Sequence, residues 1–212
     1  MNLASGRDVF EERINVSRET LQKLEFFVEQ LGIWTKKINL IAPSTLPDVW
    51  VRHVLDSAQI YDLLEKKSLK TGDLGSGGGF PAMILAILAS EREPESEFIM
   101  IESDKRKSAF LAKMLRDLGL NGQVMPMRSE NAEALGADVV TSRAFTHLES
   151  LLPHLERHMK PTGSAILLKG SRALEEVTKA RTGWNFTVEH FPSITDPTAK
   201  ILVVNDIARK QP

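Results

Sequence analysis

Residues 73–82 read Asp73-Leu-Gly-Ser-Gly-Gly-Gly-Phe-Pro-Ala82, with four glycines in five positions. A candidate strand precedes the stretch and an apolar run of helical spacing follows it. A tight strand–helix turn alone needs one or two glycines. Glycine at 75, 77, 78 and 79 allows positive φ and removes the Cβ atoms that would hold a ligand away, so the loop is expected to cradle one. A phosphate-binding loop would end in Gly-Lys-Ser/Thr. Here Phe80-Pro81 stands in that place. The dinucleotide fingerprint wants a third glycine at Phe80, and Phe80 would block a pyrophosphate from the helix N-terminus. Asp73 would repel a phosphate but suits an amino-bearing or cationic ligand.

Outward from the loop, strand and helix patterns alternate. Strands are predicted at 69–74, 97–102, 123–127, 138–142, 164–169, 185–191 and 200–206. Helices are predicted at about 81–92, 104–118, 146–159 and 172–182, with Gly119 placed as a C-cap. Such alternation makes parallel βαβ units with right-handed crossovers. The last two strands are joined only by PSITDPTA, residues 192–199. That is too short for a helical crossover and predicts an antiparallel hairpin. The expectation is an α/β, Rossmann-like fold: five βα units closed by the hairpin into a seven-stranded sheet. Upstream, Ser17 is a plausible N-cap for a helix over about 18–40, with Leu21, Leu24, Phe27, Val28, Leu31 and Ile38 as its apolar stripe. A second helix is predicted from Pro47, burying Val51, Val54, Leu55, Ala58, Tyr61 and Leu64. The division expected is 1–67 as a helical extension and 68–212 as the core, packed as one domain.

Composition narrows the classes. The chain has 212 residues, 42% hydrophobic and 26% charged, ordinary for a soluble globular protein. No apolar run approaches bilayer length, and the N-terminus lacks the apolar segment of a signal peptide. A cytoplasmic protein is expected, with no membrane partner. There is no cysteine, which excludes disulfides, Cys-ligated metals and thiol nucleophiles. His53 has no second ligand at metal spacing, so no metal is expected. A net charge of -1 gives no global basic field, and a nucleic-acid partner would need a local patch.

Glu102 ends the second strand roughly 20 residues past the loop, the distance at which a carboxylate grips ribose hydroxyls. It could equally cap the next helix through Glu102-Ser103-Asp104. A ligand with a ribose and an adenine, no phosphate, and an amino-acid end is S-adenosylmethionine.

DLGSGGGFP (73–81), ESDKRKSAFL (102–111), TSRAF (141–145) and LLKG (167–170), with KKINLI (36–41) and RHVLDS (52–57) upstream, resemble the RsmG (GidB) family over about residues 20–206. That resemblance implies a bacterial methyltransferase acting on N7 of a guanine in 16S rRNA, conventionally position 527 in the 530 loop. It implies that Gly75 and Phe80 contact the methyl donor, that Ala132 and Glu133 hold its adenine end, and that Arg143 lines the same site. The loop reading adds Asp73, Gly77 and Glu102. Two departures stand out. Ala82 replaces a usual glycine, and Asn131 stands where arginine is common before the Ala-Glu pair.

Other charged residues have two readings each. Arg52 and Asp56, at i and i+4 on one helix, are either a surface ion pair or, with His53, part of the substrate mouth. Lys105, Arg106, Lys107, Lys113 and Arg116 make a cationic helix, either a solvated face or a phosphate contact. Lys169 and Arg172 follow a strand end, where open parallel sheets bind ligands, and are the candidates for positioning RNA. Lys36 and Lys37 extend that patch; Trp34 and Trp50 are expected to pack. Guanine N7 has an in-plane lone pair and no proton to remove, so no general base is expected and no catalytic residue is named. The target base must lie in a loop or leave its stack, because the duplex's deep groove hides its N7 edge. The partner is then 16S rRNA or the 30S subunit, and the enzyme a monomer. The rival readings are a small-molecule or protein methyltransferase on the same scaffold, a non-catalytic RNA-binding assembly factor and, more distantly, a nicotinamide dehydrogenase.

Overall fold

The computed structural model describes residues 5–64 and 69–211. Its strands are β1 (Lys70–Leu74), β2 (Glu97–Ile101), β3 (Gly122–Met125), β4 (Ala137–Arg143), β5 (Met159–Lys169), β6 (Trp184–Pro192) and β7 (Lys200–Arg209). They form one sheet in the order β3-β2-β1-β4-β5-β7-β6. The pairs among β1–β5 are parallel. β7 runs antiparallel to both β5 and β6, so the predicted hairpin closes the sheet with its second strand inserted. The direction of winding reverses between β1 and β4. Their C-terminal ends are the switch point where ligands of such sheets sit.

Helices α4 (Ala82–Arg92), α5 (Lys105–Asp117), α6 (Leu148–His158) and α7 (Ala173–Ala180) connect the strands. The expected five units are four, since β3 reaches β4 through a single 3₁₀ turn, Ser129–Asn131. Strand alternation divides the core between the two faces. Val139, Ile166 and Leu168 pack with α4 and α5, while Val140, Leu167 and Leu202 pack with α6 and α7.

Helix α2 (Arg18–Ile38) starts where predicted, with Ser17 Oγ accepting from the Thr20 N–H at 3.1 Å. Its Leu24, Phe27 and Leu31 are fully buried in the same cluster as Met83 and Phe110. Helix α1 (Gly6–Arg13) was not predicted, although its capping box, Ser5 with Asp8, is written in the sequence. Among the described residues no helix is long and apolar enough to cross a membrane. The predicted boundary at 67/68 lies outside the described residues.

The helix expected from Pro47 is a chain of short turns instead. A 3₁₀ turn covers Pro43–Thr45, a π-helical turn Trp50–Leu55, the single turn α3 Asp56–Ala58, and a further 3₁₀ turn Tyr61–Leu63. The wide turn has a visible cause. The Arg52 carbonyl accepts from Arg143 at 3.1 Å, so the Asp56 N–H bonds His53 and Val51 carbonyls instead. A side chain inserted into the ladder opens it. The apolar face survives, with Val54, Leu55, Ala58 and Tyr61 buried.

Candidate active site

Two cavities open at the C-terminal ends of the parallel strands. The inner one, about 420 Å³, is bounded by the glycine loop, Glu102, Lys107 and residues 127–130. The outer one, about 860 Å³, is bounded by Arg52, Asp56, Lys169, Glu176 and the β6–β7 connection. Arg143, Ala144 and Phe145, at the end of β4, line both.

The glycine loop folds as it does mostly because protein comes close, which revises the expectation that every missing Cβ makes room for a ligand. A Cβ on Gly75, where φ is +70°, would lie 2.3 Å from the Phe145 ring, and one on Gly78 would meet the Leu40 carbonyl. Gly77 is different. Its φ is +54°, and a Cβ there would have nothing nearer than the Gly75 carbonyl oxygen at 3.8 Å. Its N–H donates to Glu102 Oε2 at 2.8 Å, and the Asp104 N–H donates to Oε1 at 2.8 Å. Glu102 therefore ties the loop to the start of α5, while Asp104 itself is the helix N-cap. Each carboxylate oxygen retains a further lone pair, and Glu102 lines the inner cavity.

Arg143 joins the loop to the N-terminal turns. Its guanidinium lies 4.9 Å from the Phe80 ring centroid. It donates to Asp56 Oδ2 at 3.1 Å and to His53 Nδ1 at 2.7 Å. Because arginine has no acceptor, His53 Nδ1 accepts and its Nε2–H donates to Thr45 Oγ1 at 2.8 Å. Burial, then the charges of Arg143 and Arg52, push the His53 pKa down to about 3, so the ring is neutral. The Arg52–Asp56 pair read from i, i+4 spacing is not formed. The wide turn carries Arg52 to the outer cavity and leaves Asp56 to Arg143. His53 lines neither cavity and stacks 5.0 Å from Phe80.

Gly75, Gly77, Phe80, Glu102 and Arg143 thus meet at the inner cavity. Asp73 stands behind it, 1% exposed. Thr141 donates to its Oδ1 at 2.7 Å, and its Oδ2 is buried with no partner. Ala132 and Glu133 do not line the cavity. After the 3₁₀ turn Ala132 points into the core and its carbonyl is gripped by Arg157. The cavity is lined instead by Arg128, Ser129 and Glu130. Moving the correspondence back three residues places Arg128 where Asn131 seemed to replace arginine. Lys169 lines the outer cavity, but its Nζ is committed to Glu176 at 2.9 Å and the Thr146 carbonyl at 2.6 Å. Arg172 is exposed and lines neither cavity. Of the cationic helix, Lys107 reaches the inner cavity, while Lys113 and Arg116 pair with Asp117 and Arg106 with Asp104. Trp34 and Trp50 pack on Phe110 and Phe10, as expected. Sequence reading missed Phe145; its signal was only an aromatic two residues past a strand-end arginine.

This sheet order, with its reversed seventh strand and cavity over the switch point, is the methyltransferase variant of the Rossmann-like fold. A solved S-adenosylmethionine-dependent methyltransferase from Aquifex aeolicus shares it with a TM-score of 0.58 at 15% identity, covering 80% of this chain and 96% of its own. The family described as rRNA small subunit methyltransferase G (GidB) matches residues 20–202, and the chain belongs to that family. It is 43% identical over 196 residues to ribosomal RNA small subunit methyltransferase G of Ruegeria pomeroyi, covering 92% of this chain and 96% of that protein. It is 45% identical over 199 residues to the protein of the same name from Rhodospirillum centenum, covering 94% and 90%.

Proposed function

We propose that this protein transfers a methyl group from S-adenosylmethionine to N7 of a guanine in 16S rRNA, at the 530-loop position numbered 527. The observation that carries this reading is the pair of cavities meeting at one wall, Arg143–Phe145. The inner one suits a nucleoside cofactor and the outer one an extruded nucleotide.

The inner cavity fits S-adenosylmethionine. Gly77 leaves its Cβ position open, Glu102 offers lone pairs to ribose hydroxyls, and Gly75, Phe80 and Arg143 complete the wall. We assign the adenine end to Ser129 and Glu130, in place of Ala132 and Glu133. When bound, the cofactor supplies an electrophilic methyl on a positively charged sulfur. The chain's own task is then alignment, which is worth about 7–11 kcal/mol in favourable cases. Arg143, fixed by Asp56, His53 and Phe80, holds the shared wall still. Guanine N7 carries no proton, so neutral His53, facing away from both cavities, is not needed as a base. Asp73 supports the loop from behind.

We take the substrate to be rRNA or the 30S subunit, the setting to be the cytoplasm and the enzyme to act as a monomer. We also take residues 1–67 as an extension packed with the 68–212 core into one domain; burial of α2 in the core supports this. Labelled-methyl transfer to deproteinised rRNA and to 30S subunits in parallel, with mapping of the modified base, tests the reading. Label on a protein or a small molecule would favour the rival methyltransferase readings. Cofactor binding with no transfer to any substrate would favour the assembly factor.

A further inference from the structure

Phe145 is 39% exposed, while Phe80 beside it is 4% exposed. Its ring is nonetheless fixed from three sides. Ala144 sits at φ +54°, a left-handed conformation uncommon outside glycine. The bare Cα of Gly75 lets the ring lie where a Cβ would be 2.3 Å from Cδ2. His154 meets the ring edge-on, with centroids 5.7 Å apart, and is itself held by Ser129 Oγ at 2.9 Å. An exposed aromatic ring, held from behind at the wall between two cavities, is the arrangement that stacks a flat, unpaired base.

We propose that Phe145 is the platform on which the target guanine stacks, and that this stacking strengthens as the methyl is transferred. The inference rests on the N7 reading above. In the step, the N7 lone pair forms the bond to the methyl carbon, and the carbon–sulfur bond breaks with its electrons going to sulfur. The sulfur becomes neutral and the purine ring takes up the positive charge. No proton moves. The guanine is neutral before the step and cationic after it. The negative face of an aromatic ring attracts the second state more than the first, and only such a difference accelerates the reaction. The guanidinium of Arg143, two residues before Phe145 on the shared wall, is kept over Phe80 and paired with Asp56. That arrangement limits its repulsion of the developing cation.

The test compares Phe145→Leu and Phe145→Tyr in the full chain. It has three measurements: affinity for S-adenosylhomocysteine, affinity for guanosine monophosphate against its 7-methyl form, and single-turnover transfer at saturating rRNA. The expected result is that Leu keeps cofactor-product affinity within about twofold, which also reports an intact fold. Its transfer rate should fall between about three- and thirtyfold, and its preference for the methylated nucleotide should vanish. Tyr should restore both. An unchanged rate in the Leu variant overturns the proposal. So does a parallel loss of S-adenosylhomocysteine affinity, which would make the ring a cofactor wall. If the wild type makes no 7-methylguanine, the functional reading fails instead. The nucleotide preference then stands alone, and its absence in the wild type overturns the stacking role.

Discussion

Gly77 and Asp73 lie four residues apart and answer to different forces. Gly77 faces open space at φ +54°, a conformation that costs an L-residue about 1–2 kcal/mol, and its N–H is tied to Glu102. Gly77→Val should therefore lower stability by roughly that amount and abolish most S-adenosylhomocysteine binding, because the added branches enter the inner cavity. Calorimetry with a parallel thermal melt checks both; normal binding would place the cofactor elsewhere. Asp73 is set by burial, which pushes its carboxyl up to about 7 against the partial pull of nearby hydroxyls and Arg143. A raised carboxyl pKa favours the protonated folded state. That stabilisation is complete below the ordinary value of 3.8 and is lost as pH rises through about 7. Asp73→Asn, which cannot ionise, should gain on the wild type in melting temperature as pH rises from about 4 to about 7, with no further gain above that. Equal pH profiles would show that Asp73 does not titrate in that window. The sequence shows a glycine-rich loop behind an acid plainly. It does not show which glycines are there for protein neighbours, because Phe145 and Leu40 approach from elsewhere in the chain.

At the level of elements, β2 and the end of β5 were legible as short apolar runs between turn signals, β6 by its alternation, and the helices because their stripes repeat, whereas β1, Lys-Thr-Gly-Asp-Leu, is largely polar. The segment after Pro47 was not legible, since its winding depends on an arginine 91 positions away taking the Arg52 carbonyl. Lys169 is a similar case. Its place after β5 is readable, but Glu176 arrives from α7 and also accepts the Leu148 N–H at the start of α6. Burial opposes ionisation of Glu176, yet the bonds from Lys169 and Leu148 outweigh it and hold the carboxyl below its ordinary range. Lys169→Ala should then cost about 1–3 kcal/mol by leaving a half-buried carboxylate short of a partner. Adding Glu176→Gln should recover most of the loss. Denaturant melts of the single and double variants decide this, and a single variant as stable as the wild type would show the pair to be idle. Arg172→Ala, on the surface, should leave stability unchanged.

Across the whole molecule, acids and bases nearly cancel, with a net charge of -1, so RNA must be attracted by a few local cations rather than by the general field. Two of the lysines and arginines that line the cavities are already paired, Arg143 with Asp56 and Lys169 with Glu176. Among the described residues, Arg52 and Lys200 line the outer cavity without forming an ion pair, and Lys107 and Arg128 do the same at the inner one. Arg52 comes from the N-terminal turns and Lys200 from the start of β7, so extension and hairpin each supply a cation to the outer cavity. If each contacts one phosphate of a single-stranded segment, removing both should reduce the slope of log affinity against log salt by about 1.4, at about 0.7 per phosphate. We expect Arg52→Ala with Lys200→Ala to show that reduction on rRNA, with affinity for S-adenosylhomocysteine unchanged. Replacing Lys169 should not flatten the slope in the same way, since its charge is already neutralised by Glu176. The reverse pattern, a flat slope for the Lys169 variant and a wild-type slope for the double variant, would mean that RNA binding breaks the Lys169–Glu176 pair and draws that lysine outward.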